Sequence, residues 1–201
     1  MTAATATTPL ADLIAYLDGL SGRAPLDELL ELLACLEVDP ADLAEHVRFS
    51  AQGYTRNLVR AGPWYHLLVL CWKNGQRSPI HDHAGSSCGV RVLRGVLTET
   101  AFAFVPHGRV KAVGSHDLTA GDVCGSEDLD LHQVSNLQDG DADLVTLHVY
   151  SPPLRRMGTY SLTDHSGLKL SSLATTVAWA SPTTRRSLTR GVWPMVCVMS
   201  S

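Results

Sequence analysis

His81 and His83 stand one residue apart inside Gly75-x5-His81-x-His83-x4-Cys88-x6-Gly95, and His132-x3-Asn136 follows about fifty residues later. In an extended strand, successive side chains point to opposite faces, so residues two apart share a face about 6.6 Å from one another along the strand. The two imidazoles can therefore chelate one ion. A third ligand must come from elsewhere in the fold, and His132, flanked by Leu131 and Val134 in another strand-like stretch, is the natural source.

The spacing resembles the cupin superfamily, whose first motif reads G-x5-H-x-H-x3,4-E-x6-G and whose second ends in H-x3-N. The first motif matches at every fixed position but one, because Cys88 occupies the place of the usual glutamate ligand. In the second, Gly121, His132 and Asn136 fit, while Glu127 and Leu129 replace the usual proline and glycine. Losing the carboxylate leaves three neutral imidazoles and a divalent ion with its full positive charge. Such a site favours an anionic substrate ligand, and a thiolate suits it, since a metal-bound thiol is deprotonated outright.

Further motifs narrow the resemblance. Tyr54-Thr55-Arg56-Asn57, Cys71-Trp72, Ser78-Pro79-Ile80-His81-Asp82-His83 and Leu147-His148-Val149-Tyr150-Ser151-Pro152-Pro153 together resemble the cysteine dioxygenases, over about Phe49 to Arg155. The resemblance implies that His81, His83 and His132 are iron ligands and that Cys88 and Tyr150 form a thioether cross-link beside the iron. It implies that Arg56 holds the substrate carboxylate, that His148 orients the Tyr150 hydroxyl, and that Tyr54 is a second pocket tyrosine. Thr146 stands where better-known members have serine and keeps the hydroxyl. The family commonly has a cis bond at the position of Ser151-Pro152, which sequence alone leaves open.

The local sequence suits these roles. Period-two alternation over Leu144 to Tyr150 puts Thr146, His148 and Tyr150 on one face and Val145, Leu147 and Val149 on the other, as in a strand lining a polar cavity. Tyr54 and Arg56 share a face if their stretch is extended. A planar guanidinium grips a carboxylate with two parallel hydrogen bonds, which lysine cannot reproduce. Thiol dioxygenases that prefer 3-mercaptopropionate typically carry glutamine at this position, so Arg56 favours cysteine.

The resemblance therefore implies an enzyme that converts L-cysteine and O2 to cysteine sulfinic acid at a mononuclear Fe(II). Taking a thiolate to a sulfinate requires four electrons, the capacity of dioxygen, so no 2-oxoglutarate, flavin or external reductant is expected. Iron enters through the family, because three imidazoles would also accept zinc, nickel, copper or manganese. Two other readings stay open: a dioxygenase for 3-mercaptopropionate or another small thiol, and a non-enzymatic cupin that binds a metal or ligand. Asp82, between two ligands, should face away from the metal, with a second place as acceptor for an imidazole N–H still open to it.

The elements that must position these groups form two parts. Residues 9–46 read as short helices, with Leu10, Leu13, Ile14 and Leu17, and then Leu26, Leu29, Leu30 and Leu33, at helical spacing. Asp39-Pro40 is a plausible start for a third, with aspartate as cap. From residue 47 come short β-rich runs: Trp64 to Trp72, Val90 to Val105, Lys111 to Val113 and Leu144 to Tyr150, punctuated by glycines. The expected fold is mainly β, a cupin barrel (double-stranded β-helix, jelly-roll) over residues 47–170 behind a small helical N-terminal segment, 1–46. Residues 1–170 then make a single domain, and 171–201 a C-terminal extension of uncertain structure.

With 201 residues and 45% hydrophobic content, one sizeable core is affordable. A formal charge of −4 offers no basic surface for nucleic acid. No apolar run of about 18 residues predicts a membrane span, no signal-peptide pattern opens the chain, and no protein partner is indicated, so a cytoplasmic enzyme is expected. The five cysteines are odd in number and lack paired spacing, which suggests no disulfide framework.

Overall fold

The computed structural model describes residues 8–106, 109–162, 169–173 and 176–177. Leucines recurring every three to four residues build the first two helices, α1 (Leu10–Asp18) and α2 (Leu26–Ala34), and bury one stripe of each: Leu10, Leu13 and Leu17, then Leu29 and Leu33. The third, α3 (Pro40–Leu43), opens as expected, with the Asp39 carboxylate accepting from the Ala41 N–H at 2.9 Å. It runs into a 3-10 turn, Ala44–His46. One detail departs from a purely helical segment. Two-residue strands β1 (Thr8–Pro9), just before α1, and β2 (Leu36–Glu37), just after α2, pair in parallel, too short to leave a periodic signal.

The remaining strands are β3 (Thr55–Gly62), β4 (Tyr65–Trp72), β5 (Ile80–His81), β6 (Ser87–Arg94), β7 (Val96–Val105), β8 (Arg109–Thr119), β9 (Val123–Glu127), β10 (Leu131–Ser135), β11 (Leu144–Ser151), β12 (Arg156–Tyr160), β13 (Lys169–Ser172) and β14 (Thr176–Val177). They form two six-stranded sheets, ordered β13-β12-β5-β10-β7-β8 and β14-β3-β4-β11-β6-β9. Apart from the hairpins β3–β4, β7–β8 and β12–β13, sequence neighbours alternate between the sheets, the order of a jelly-roll. Among the described residues the ladders do not close these sheets into a continuous barrel. The run Val90 to Val105 is two strands, broken at Gly95, whose φ of +86° and whose missing Cβ, which would lie 2.6 Å from the Asp143 carbonyl oxygen, both require glycine.

All eight residues of β11 are buried, because the second sheet is covered on both faces. Val145, Leu147 and Val149 join Leu67, Val69 and Cys71 of β4 against the leucines of α1 and α2. Burial of each such leucine stabilises by about 1.5–3 kcal/mol. Gly89 of β6 lets α2 approach, since a Cβ there would meet Leu33 Cδ1 at 2.7 Å. The other face carries Leu68, Leu70, Trp72, Cys88, Val90 and Tyr150, packed with Leu97, Val134 and Met157 of the first sheet. Chemistry-bearing side chains therefore point between the sheets and the helices close the back.

Residues 171–172 and 176–177 extend the sheets through β13 and β14, and apart from Leu173 the rest of the 171–201 extension lies outside the described residues. Cys71, Cys88 and Cys124 are free thiols, whereas Cys35 is disulfide-bonded, contrary to the expectation of a chain without disulfides. No helix among the described residues is long and apolar enough to cross a membrane.

Candidate metal centre and active site

β5 lies between β10 and β12, and its register sets His81 directly opposite His132. His83 follows just past the end of β5, so three imidazoles converge: ring centroids are 5.2 Å apart for His81 and His83, 4.6 Å for His81 and His132, and 4.8 Å for His83 and His132. One ligand atom from each lies within 4.8 Å of the others, and all three residues are buried. Burial, then the neighbouring His132, pushes His81 down to about 3, and burial with His132 and His81 holds His83 well below its ordinary value. His81 and His83 therefore do not relieve their crowded lone pairs by taking protons.

A shared metal ion fits these residues. Both nitrogens of His83 are buried with no hydrogen-bond partner, and the donor set is three imidazoles. The other two have partners that fix the ring: the Pro79 carbonyl oxygen is 3.0 Å from His81 Nδ1, and Glu99 Oε1 is 2.6 Å from His132 Nδ1. Each arrangement leaves Nε2 for a metal. Asp82 turns away, accepting from the Gly158 N–H at 2.9 Å and the Tyr160 hydroxyl at 2.8 Å, and is no imidazole acceptor.

Sequence reasoning overlooked Glu99. Burial raises a carboxyl's pKa, yet the hydrogen bond from His132, the attraction of His132 and His116 and a hydrogen bond from Cys124 together outweigh it and hold Glu99 below the usual carboxylate range. An acidic residue two places after buried Leu97, in phase with it on β7, was a legible sign of a partnered inward carboxylate.

A pocket beside the histidines is lined by Tyr54, Arg56, Leu70, Trp72, Cys88, His148, Tyr150 and Met157. Arg56 of β3 is buried. Its Nη1 donates to the Tyr150 hydroxyl at 3.3 Å, its guanidinium carbon sits 5.0 Å from that ring's centroid, and Nε and Nη2 have no partner. Tyr54 stacks on Trp72, centroids 4.2 Å apart at 12°.

β11 supplies a polar line. Trp72 Nε1 donates to Thr146 Oγ1 at 3.0 Å, Thr146 Oγ1 is 2.8 Å from His148 Nε2, and His148 Nδ1 is 3.2 Å from the Tyr150 hydroxyl. Burial pushes His148 well below and Tyr150 well above their ordinary values, so both are neutral. Cys88 faces Tyr150 directly across the β6–β11 pairing, and burial pushes its thiol up to about 12. The Ser151–Pro152 bond is cis.

A family profile described as cysteine dioxygenase type I matches residues 1–163 of this chain. The chain belongs to that family. Cysteine dioxygenase type 1 of Homo sapiens is 35% identical over 150 residues, 72% of this chain and 74% of that protein. The protein of the same name from Danio rerio is 34% identical over 158 residues, 75% and 78% of the two chains. Among solved structures, a double-stranded β-helix protein of Klebsiella pneumoniae aligns with TM-score 0.46 and 20% identity over 55% of this chain and 81% of that one. A cupin protein of Desulfovibrio desulfuricans aligns at 0.43 and 23%, over 58% and 99%. The fold itself rests on the strand order. Membership of the cysteine dioxygenase type I family, together with the three-histidine cluster, makes the chain a thiol dioxygenase, a metal-binding oxidoreductase on a cupin fold.

Proposed function

We propose that this chain converts L-cysteine and O2 to cysteine sulfinic acid, using Fe(II) held by His81, His83 and His132. The observation that carries the substrate is Arg56, a buried guanidinium with Nε and Nη2 unpartnered, lining the same pocket as His81 and His132. A buried cation with free donors calls for an anion, and a carboxylate matches its fork bidentately. When bound, Fe(II) supplies the coordination positions and redox activity that bring a thiolate and dioxygen together.

The protein groups then position and protonate. Arg56 holds the substrate carboxylate and, through Nη1, the Tyr150 oxygen. Tyr54, stacked on Trp72, forms an adjoining wall. An indole N–H can only donate, so the Thr146 oxygen accepts from Trp72 and its own proton goes to His148 Nε2. His148 Nδ1–H then donates to the Tyr150 oxygen. With two donors on that oxygen, the Tyr150 proton is left to point at the oxygen atoms of the reactants, in a pocket where such a bond is strong. Both atoms of O2 end on sulfur, and the four electrons leaving sulfur are those that dioxygen accepts.

Cys88 and Tyr150 supply the cross-link in this reading. A carbon–sulfur bond replaces the S–H and one ring C–H, and the two protons and two electrons go to dioxygen. The thioether restricts the ring and so reduces the ordering left for the substrate to impose. Side-by-side kcat/KM for cysteine and 3-mercaptopropionate tests the substrate assignment. Cysteine is expected to lead, and a clear preference for 3-mercaptopropionate would reject it.

A further inference from the structure

The carboxylate that the first motif lacks at position 88 is present one layer further out. Glu99 sits on β7, paired with Val134 of β10 on one side and His116 of β8 on the other. His132 is two residues from Val134, so Glu99 reaches it along the diagonal of the antiparallel pair. Oε1 takes the His132 Nδ1 contact at 2.6 Å, and Oε2 lies 3.3 Å from Nε2 of the exposed His116. Glu99 is only 8% exposed, and a carboxylate so placed must be partnered.

The three ligand histidines consequently have unequal backing. His132 has a carboxylate, His81 a peptide carbonyl, and the His83 ring no hydrogen-bond partner. A divalent ion among three neutral imidazoles, close to the Arg56 guanidinium, leaves the pocket strongly positive. A carboxylate bonded to one imidazole offsets part of that charge and fixes that ring's tautomer with Nε2 turned to the metal. It does so without occupying a coordination position, which a glutamate at position 88 would take.

We propose that Glu99 is a positioning residue for the metal, acting through His132 to supply from the outer layer the negative charge that the motif omits among the ligands. This rests on the three-histidine metal site proposed above. A purely structural Glu99 would change folding stability alone, whereas a charge-supplying one changes how tightly and in what field the ion is held.

The test is an anaerobic Fe(II) titration of the full chain against a competing chelator, with the Co(II) electronic spectrum as a second readout. Glu99→Gln keeps the shape and the acceptor oxygen and removes the charge. It is expected to weaken Fe(II) binding about 10- to 100-fold and to shift the Co(II) bands. Should it fail to fold by circular dichroism, Glu99→Asp, which shortens the reach by one methylene, takes its place with the same weakening expected. His132→Ala separates the two levels. If His132→Ala loses the metal while the Glu99 variant binds within twofold of the unaltered chain and leaves the Co(II) spectrum unchanged, the role of Glu99 is overturned and the site stands. If His132→Ala binds Fe(II) as tightly as the unaltered chain, the three-histidine site falls and this inference falls with it.

Discussion

Cys88 and Tyr150 are direct cross-strand partners in the antiparallel pairing of β6 with β11, and the Arg56 guanidinium lies 5.0 Å from the same tyrosine ring. Side chains opposite one another in such a ladder have Cβ atoms about 4.5–5.5 Å apart, within reach of a thioether. Intact mass after turnover with iron and cysteine should therefore fall two hydrogens below the sum of the unmodified residues. Cys88→Ser should abolish the loss, and a mass that never departs from the unmodified sum would remove the cross-link from the account.

Arg56 carries the substrate assignment. Arg56→Gln exchanges a charge-assisted pair, about 1.5–3 kcal/mol, for a neutral contact. At about 1.4 kcal/mol per tenfold, kcat/KM for cysteine should drop about 10- to 100-fold while the preference moves toward 3-mercaptopropionate. An unchanged ratio between the two thiols would show that Arg56 does not read the carboxylate.

Thr146 joins Trp72 to His148. Thr146→Val strands buried polar atoms on both neighbours and is expected to destabilise by about 1–3 kcal/mol and to lower kcat about tenfold. Thr146→Ser should keep both within about twofold. Equal behaviour of the two variants in a thermal melt and a kcat measurement would contradict the polar line.

Acidification should weaken the metal-free chain. His46, His66, His81, His83 and His148 are all held below the ordinary imidazole value, chiefly by burial. The fold keeps them neutral to lower pH than the unfolded chain, which takes up protons once pH falls below about 6.5. The unfolded state then binds more protons, so stability is full above that pH and declines below it. For His148 the slope is on the order of 1.4 kcal/mol per pH unit. Melting temperature should hold down to about pH 6.5 and fall from there to about pH 5, and a flat or rising profile over that lower range would refute the sign.

What was legible in the sequence is what local periodicity encodes. The i, i+2 spacing of His81 and His83, and the alternation of Thr146, His148 and Tyr150 against Val145, Leu147 and Val149, follow from the geometry of one strand. Long-range register does not. Glu99 meets His132 because β7 pairs with β10, and Trp72 meets Thr146 because β4 lies beside β11, pairings that no stretch of either strand specifies. The run Leu67 to Trp72 hides its two faces because both are buried, one under the helices and one toward the pocket. At Ser151-Pro152 the small cis/trans difference of proline leaves the isomer to the surrounding fold.

The central claim is iron-dependent oxygenation of cysteine in a pocket built from His81, His83, His132 and Arg56. Its most direct test is anaerobic reconstitution with Fe(II), followed by oxygen uptake and product analysis with cysteine and labelled dioxygen. The account predicts equimolar loss of O2 and cysteine, cysteine sulfinic acid carrying both labelled atoms, no added reductant or co-substrate, and no turnover with zinc in place of iron. Iron-loaded protein that consumes no oxygen with cysteine, or that needs a second reductant to do so, would contradict it.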